Sequence, residues 1–273
     1  LWIADPAPPR HVVMATGPTG SSNQMLGQQY QHYFADRGIK LELVPTEGSV
    51  ENVKRLEDRN DSVMAAFVMT GAAGPHQSGI QTLGSINFQP LWCFYYDSKP
   101  IPVKYRMQVL SNMKLNIGTP NSGTNLLVHE LLEKNAISPD KPNLIKRPDD
   151  EAIEALRRHE LEALCIVDTY DSPNVQTLFK IPGLQLANFE RAEAYARQIA
   201  AIEMVNMPEG GINLVDNQPD QPYRLIAAST EILIDDRLHP AIQTLFLMAA
   251  RSINGKESFF SNEGEFPKFL DSS

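Results

Sequence analysis

The most constraining feature of this chain is a repeated local pattern: a short apolar run, a turn of small hydroxyl-bearing residues, then the periodicity of an amphipathic helix. The clearest copy spans residues 115–132, with the sequence LNIGTPNSGTNLLVHELL. Gly, Pro, Asn, Ser and Thr in the turn permit tight backbone angles. A helix is predicted from about Ser122, and either Ser122 or Thr124 can cap it.

Two further copies lie in the first sixty residues, at 11–37 and at 40–59. Their turns read GPTGSS and PTEGS. Strands that alternate with helices predict an α/β fold with a parallel or mixed sheet. In such folds ligands bind beyond the carboxyl ends of the strands.

The three turns also predict a chemistry. The first backbone N–H groups of a helix have no partner within the helix, and the helix dipole adds partial positive charge there. A helix that starts in a hydroxyl-rich turn is therefore suited to bind an anion. The chain has neither a Walker lysine motif nor a full dinucleotide-binding fingerprint, so we expect a small anion, specifically a carboxylate.

The bulk composition excludes several classes of function. A formal net charge of −9 argues against a nucleic-acid partner, which usually meets a basic surface. The six histidines are scattered and the chain has no metal-binding motif, so we expect no metal and no cofactor. The cysteines, Cys93 and Cys165, lie in apolar runs and are interpreted as two buried thiols, although their spacing leaves a disulfide open.

The order of elements predicts two lobes. The amino-terminal alternation of strands and helices ends with an apolar strand at 63–69 and an aromatic strand at 91–96. The aromatic strand is predicted to cross into a second lobe. We expect lobe 1 to comprise residues 10–98 and 224–273, and lobe 2 to comprise residues 99–223. The aromatic side chains of residues 92 and 94–96 are interpreted as core and hinge packing rather than as a ligand box.

The amino-terminal residues LWIA, followed by DPAPP, are typical of a membrane segment leading into a stiff proline spacer, although a ragged end would look the same. No internal run of 18 apolar residues is present, so the part shown is expected to be soluble. We expect this part to be monomeric.

Four segments together resemble a known family: GSVEN at 48–52, AFV at 66–68, IGTPNSGT at 117–124 and DRLHP at 236–240. They are similar to the TAXI family of solute-binding proteins, the extracytoplasmic receptors of tripartite ATP-independent periplasmic (TRAP) transporters. The likeness covers nearly the whole chain in order. It implies a type II periplasmic-binding-protein fold, with two α/β lobes, a hinge and an interlobe cleft.

The resemblance also implies a ligand and partners. Family members commonly bind glutamate, 2-oxoglutarate or related carboxylates, so it implies a small organic acid or amino acid as ligand and transporter subunits as membrane partners. The proline spacer and the NEGEFP segment near the end resemble a membrane-anchored subgroup in the periplasm. One departure concerns Asn23 and Gln24, which replace an aromatic pair common in the family and favour a more polar ligand or an altered site.

The candidate ligand-binding residues all lie in turns that follow strands. They are Thr19, Gly20, Ser21, Ser22, Asn23, Gly48, Ser49, Thr70, Gly71, Ser122, Gly123, Thr124, Asp168 and Thr169. The hydroxyl and glycine positions would bind a carboxylate, whereas Asp168 and Thr169 would bind an ammonium or hydroxyl group. Plain helix capping would explain many of the same residues without a ligand.

The leading hypothesis is a non-catalytic receptor that closes two lobes over a small carboxylate. A second is a sensory or interaction module on the same fold with an altered or lost site. The third is an enzyme, which would need a nucleophile and a base in the cleft, with His76 or His129 near Ser49 or Ser122.

Overall fold

The computed structural model describes residues 5–74, 79–96 and 106–269. The first part follows the predicted alternation of strands and helices. Its elements are β1 (His11–Ala15), α1 (Ser22–Ala35), β2 (Lys40–Val44), α2 (Ser49–Glu57) and β3 (Val63–Met69). Strands β2 and β3 flank β1 and run parallel to it, so the turns after β1 and β2 open at the same edge of the sheet.

The second part repeats the arrangement with shorter strands. It contains α3 (Arg106–Ser111), β5 (Leu115–Asn116), α4 (Gly123–Lys134), β6 (Leu144–Ile145), α5 (Asp149–Arg157), β7 (Ala163–Val167), α6 (Pro173–Phe179), β8 (Leu184–Leu186) and α7 (Ala192–Gln198). Strand β5 pairs in parallel with β6 and β7. The turns that precede α4 and α6 therefore follow parallel strands, as in the first part.

Two long strands connect the parts. They are β4 (Ile80–Tyr96) and β10 (Tyr223–Asp235), with β9 (Ile202–Met207) beside β10 and α8 (Pro240–Ile253) after it. Residues 80–90 of β4 pair antiparallel with β10, whereas residues 91–96 pair with β7 and β8. The strands of the described residues form one ten-stranded sheet, ordered β2-β1-β3-β10-β4-β7-β5-β6, with β8 on β4 and β9 on β10.

Separate apolar cores lie on the two halves of this sheet. One is built around Tyr30, Phe34, Phe67 and Phe246, between α1, α8 and the first half of the sheet. A second, built around Val53 and Leu56, lies between α2 and the other face of that half. Two more lie on the two faces of the second half, around Trp92 and Phe94 on one side and the leucines of α4 on the other. The chain thus has an α/β fold with two lobes. No described helix is long and apolar enough to cross a membrane.

Several sequence expectations need correction. The strand expected at 91–96 begins eleven residues earlier, at Ile80. The helix expected at 189–201 is shorter and comprises only α7. Strand β9, which follows it, was not predicted. Cys93 and Cys165 are not free thiols: they lie opposite each other on β4 and β7 and form a disulfide that is fully buried. Register, which spacing along the chain cannot give, brings them together.

The aromatic residues 92 and 94–95 are buried, as predicted. The indole Nε1 of Trp92 also donates to the backbone oxygen of Asp168 at 2.9 Å. The predicted amino-terminal membrane segment and His76, one of the two histidines considered for an enzyme, lie outside the described residues.

Candidate functional site

The turns after β1, β2, β5 and β7 meet between the two lobes. They enclose a cavity of ≈ 40 Å³, large enough for about one small functional group. Its lining residues come from both lobes: Pro18, Ser21, Asn23, Glu47, Gly48, Ser49, Met69, Gln89, Ser122, Gly123, Thr124, Asp149, Val167 and Asp168. The convergence of these turns is what the repeated strand, turn and helix pattern led us to expect.

The amino terminus of α1 binds a carboxylate that belongs to the protein. Ser21 caps the helix by accepting from the amide of Gln24. The amide of Ser22 donates to both carboxylate oxygens of Asp168, at 3.2 and 3.3 Å, and its hydroxyl donates to Oδ1. Because Asp168 is on the other lobe, this contact bridges the cleft and satisfies the α1 anion site internally.

The amino termini of α2 and α4 lie against each other. The backbone amides of Val50 and Glu51 both donate to the carbonyl oxygen of Asn121 at 3.1 Å. Gly48, the N-cap of α2, has φ of 134°, and a Cβ added there would lie 3.1 Å from the Cα of Ser122. Glycine is therefore required at this position both by its backbone angle and by the approach of the opposite lobe.

Among the backbone N–H groups at this junction, those of Ser49, Gly123 and Thr124 have no hydrogen-bond partner among the described residues. The side chains beside them are already engaged. Ser49 Oγ accepts from the amide of Met69 at 2.9 Å, and Thr124 Oγ1 accepts from the amide of Val167 at 2.9 Å. Their backbone donors, at the positive ends of two helices, are the parts of the cavity wall suited to bind an anion.

The same cavity is bordered by acidic side chains. Burial raises the pKa of Asp168 to about 6, although bonds from Ser22 and Thr169 oppose the shift. Burial, together with the charges of Asp168 and Asp150, raises the pKa of Asp149 to about 7. A gap lined by Glu47, Asp149 and Asp168 runs against the expected binding of a carboxylate, because ionised carboxylates of the protein would repel it.

A second compartment of ≈ 250 Å³ adjoins the first. The two share Pro18, Glu47, Ser122 and Asp149 as lining residues. The larger one is also bordered by Thr19, Thr46, Thr119, Pro148, Asp150 and Glu151. No lysine or arginine among the described residues lines either compartment.

The side-chain amides of Asn23 and Gln24 are used within the protein. Asn23 Oδ1 accepts from Gln89 Nε2 at 2.9 Å, and Gln24 Oε1 accepts from the amide of Gly20 at 2.9 Å. The buried Asn52 of the GSVEN segment donates to the carbonyl oxygens of Thr16 and Phe67. Asn52 therefore joins β1, β3 and α2, so part of this motif is structural.

The predicted residues separate into those that line a compartment and those that do not. Eight border the small cavity: Ser21, Asn23, Gly48, Ser49, Ser122, Gly123, Thr124 and Asp168. Thr19 borders the larger compartment, and Ser22 and Thr169 face an open groove of ≈ 790 Å³ beside α1. Gly20, Thr70 and Gly71 line none of these spaces; Thr70 bonds Ser229 instead, with 3.0 Å between the hydroxyl oxygens.

Sequence reasoning missed Glu47, Gln89 and Asp149 as lining residues. Glu47 is within a turn that was singled out for its hydroxyl and glycine residues. Asp149 opens α5, the first turn of which is acidic and so complements the helix dipole. Gln89 is in the part of β4 that was not predicted as a strand.

Neither serine proposed as a nucleophile contacts a histidine within the described part of the chain. Ser122 Oγ donates to the carbonyl oxygen of Thr119 at 2.8 Å and accepts from the amide of Asn125, as an N-cap does. His129 is seven residues further along α4, and its Nε2 has no hydrogen-bond partner among the described residues. The geometry therefore offers no activated nucleophile at these serines.

Solved structures with the same two-lobed fold include binding proteins and regulators. A protein from Bordetella bronchiseptica RB50 matches with a TM-score of 0.59 and 14% identity, over 89% of this chain and 70% of that one. The periplasmic aliphatic sulphonate binding protein SsuA from Escherichia coli matches with 0.52 and 13%, over 90% and 73%. CbnR, a LysR family transcriptional regulator, matches with 0.50 and 13%, over 90% and 70%.

At these identities the likeness concerns the fold. No curated protein matches the chain by sequence. The sequence model of the NMT1-like family matches residues 14–208, which include the turns before α1, α2, α4, α5 and α6. Since this match covers most of the chain, the protein belongs to the NMT1-like family.

Proposed function

We propose that this protein is a receptor that closes its two lobes over a small solute carrying a carboxylate. The observation that supports this most directly is the set of unpartnered backbone N–H groups of Ser49, Gly123 and Thr124 beside one cavity. They belong to α2 and α4, which are on different lobes. A carboxylate between them would receive hydrogen bonds from both lobes at once.

The size of the donor-lined cavity limits what enters it. A volume of ≈ 40 Å³ accepts one carboxylate but not a whole amino acid or dicarboxylate. The remainder of the solute would occupy the adjoining 250 Å³ compartment. Charge-assisted hydrogen bonds in such a water-poor site are about twice as strong as neutral ones.

Closure would follow from this geometry. A ligand shifts a protein toward the closed state only if it binds that state more tightly, and donors contributed by both lobes meet this condition. The hinge would lie where β4 and β10 cross between the lobes, with lobe 1 at 10–98 and 224–273 and lobe 2 at 99–223. Rigid lobes joined by a hinge are a common arrangement for ligand-driven closure.

An extracytoplasmic location and a transporter partner complete the proposal. The buried disulfide between Cys93 and Cys165 supports an oxidising compartment such as the periplasm. The resemblance to TAXI receptors supports a TRAP-type transporter as the membrane partner, with an anchor outside the described residues. SsuA, a periplasmic binding protein of the same fold, supports the receptor class.

The test is calorimetry and thermal denaturation of the purified protein with a panel of amino acids, dicarboxylates and 2-oxo acids at millimolar concentration. The proposal expects heat of binding and a raised melting temperature for at least one of them. A panel that produces neither heat nor a thermal shift would refute it.

A second candidate is an interaction module whose ligand site has been lost. The bond between Ser22 and Asp168 favours it, because a side chain of the protein already occupies the α1 anion site. Such a module would stay closed without ligand. Small-angle scattering distinguishes the two: a receptor contracts when its solute is added, whereas the module keeps one radius of gyration throughout the panel.

A further inference from the structure

The larger compartment is bordered by acidic side chains, and a ligand with only a carboxylate would give them no cationic partner. Four carboxyl groups border it, those of Glu47, Asp149, Asp150 and Glu151. None forms an ion pair with a basic side chain within the described ranges 5–74, 79–96 and 106–269. A space bordered by carboxyl groups without a basic partner is suited to a cationic group of a ligand.

The basic side chains near this compartment, Lys54 and Arg147, do not line it. Lys54 Nζ donates to Asn121 Oδ1 at 3.2 Å, whereas Asn121 Nδ2 donates to Glu47 Oε2 at 2.6 Å. Arg147 lines a separate surface depression that Asp150 and Glu151 also border. The compartment therefore has no internal counter-charge among the described residues.

An independent observation concerns Thr119. Only 6% of the residue is exposed, and its Oγ1 has no hydrogen-bond partner in the described part of the chain. It lines the acidic compartment. A buried hydroxyl without a partner loses stabilisation, and a ligand donor or acceptor brought to this wall of the compartment would restore it.

The acidic compartment is suited to a cation, but a metal ion is a poor candidate. Within the described residues, no group of three or more His, Cys, Asp or Glu side chains is arranged to hold one. Carboxylates and a hydroxyl around 250 Å³ instead match an organic ammonium or guanidinium, which donates several hydrogen bonds and fills more space.

From these observations we infer that the solute is a basic amino acid, with its α-carboxylate between α2 and α4 and its side-chain cation in the compartment bordered by Glu47, Asp149 and Thr119. This inference rests on the proposed receptor function and names its substrate class. Together the two compartments fall just short of the ~300–1,000 Å³ range of small-molecule pockets, which suits a single amino acid rather than a larger solute.

Desolvation supports the assignment. Burial and the neighbouring acids already raise the pKa of Asp149 to about 7. A cation bound beside it would favour the ionised carboxylate and lower that pKa. Binding would therefore release protons from the protein near neutral pH.

The experiment compares four probes on the full chain by isothermal calorimetry: L-lysine, L-norleucine, L-glutamate and 2-oxoglutarate. L-norleucine has the aliphatic chain of L-lysine but not its terminal ammonium. The inference expects L-lysine to bind at least 10-fold more tightly than each of the others. Equal affinity for L-lysine and L-norleucine, or tighter binding of L-glutamate or 2-oxoglutarate, overturns it while leaving the receptor function intact.

Two variants and a control locate the site. Asp149→Asn and Thr119→Val should each weaken L-lysine binding at least 10-fold, whereas Asp140→Asn, on the exposed loop after α4, should leave it unchanged. Thr119→Ser, which keeps the hydroxyl, should bind as the wild type does. Unchanged affinity in both Asp149→Asn and Thr119→Val refutes the inference. If no probe binds even the wild type, the receptor function fails together with it.

Discussion

Asp168 should make the protein less stable as the pH rises through the mildly acidic range. Its side chain is 2% exposed, and burial raises its pKa from 3.8 to about 6. Because the folded-state pKa is the higher one, the stabilising contribution is complete below pH 3.8 and is lost as the pH rises through about 6. Asn in its place is neutral at every pH.

The size of the effect follows from the shift. A difference of about two pKa units, at 1.36 kcal/mol each, corresponds to about 3 kcal/mol between acidic and neutral pH. The groups that face the carboxylate are Ser22 from α1, Thr169 and Ser172 from its own loop, and Asp149 from α5. The charge of Asp168 also helps to raise the pKa of Asp149, so its removal should lower that second pKa.

Urea denaturation of the wild type and of Asp168→Asn at intervals from pH 4 to pH 8 measures this directly. The free energy of unfolding of the variant minus that of the wild type should increase by about 2.5 kcal/mol between pH 4 and pH 8, since a small part of the change has already occurred by pH 4. Asp140→Asn is the exposed control, and its difference from the wild type should stay flat. A difference for Asp168→Asn that does not change with pH, or that decreases, would contradict the argument.

Three further predictions concern the frame around the cleft. Gly20→Ala and Gly38→Ala both place alanine at positive φ, 78° and 76°, but only the first brings a Cβ against Asn174, so urea denaturation should show it to be less stable by about 1 kcal/mol more. Equal losses would mean that the lobes are apart in solution. Replacing both Cys93 and Cys165 by Ala should cost about 2–4 kcal/mol. Because the disulfide is buried, it should release thiols for alkylation only when reductant is added together with urea. Asn52→Ala leaves two buried carbonyl oxygens without their donor and should cost at least about 2 kcal/mol by the same measurement; a loss below about 0.5 kcal/mol would show that water replaces the amide.

The elements around the cleft could be predicted because their signals are local. The apolar periodicity and the hydroxyl turn before α4 depend only on residues close in sequence, and Ser122 is the N-cap as expected. Strands β1 and β2 likewise begin where the copies at 11–37 and 40–59 begin, and β3 spans the apolar run predicted at 63–69. Local physics therefore determines where these helices begin and hence where their amide donors lie.

The first half of β4 could not be predicted in the same way. Gly84, Ser85, Gln89 and Pro90 interrupt the apolar pattern, and the segment is a strand because β10, some 140 residues later, pairs with it. Pairing with a distant segment overrides weak local propensity. The disulfide depends on the same kind of information, since only strand register brings Cys93 opposite Cys165.

The acidic lining of the cleft has a similar origin. Glu47 and Asp149 are unremarkable in their local sequences, one in a turn and one in the first turn of a helix. They become part of a ligand site only because turns from the two lobes enclose the same space. The sequence therefore predicts the donors of the site better than it predicts its charge.

The crossing of β4 and β10 has a consequence for how such a molecule could signal. Two adjacent strands that share a ladder of main-chain hydrogen bonds can flex as one ribbon, but they cannot slide past each other without breaking that ladder. Movement of one lobe on the other is then confined to a bend of the ribbon. A neighbouring protein would need to sense only one variable, the angle of that bend, to distinguish an empty molecule from an occupied one.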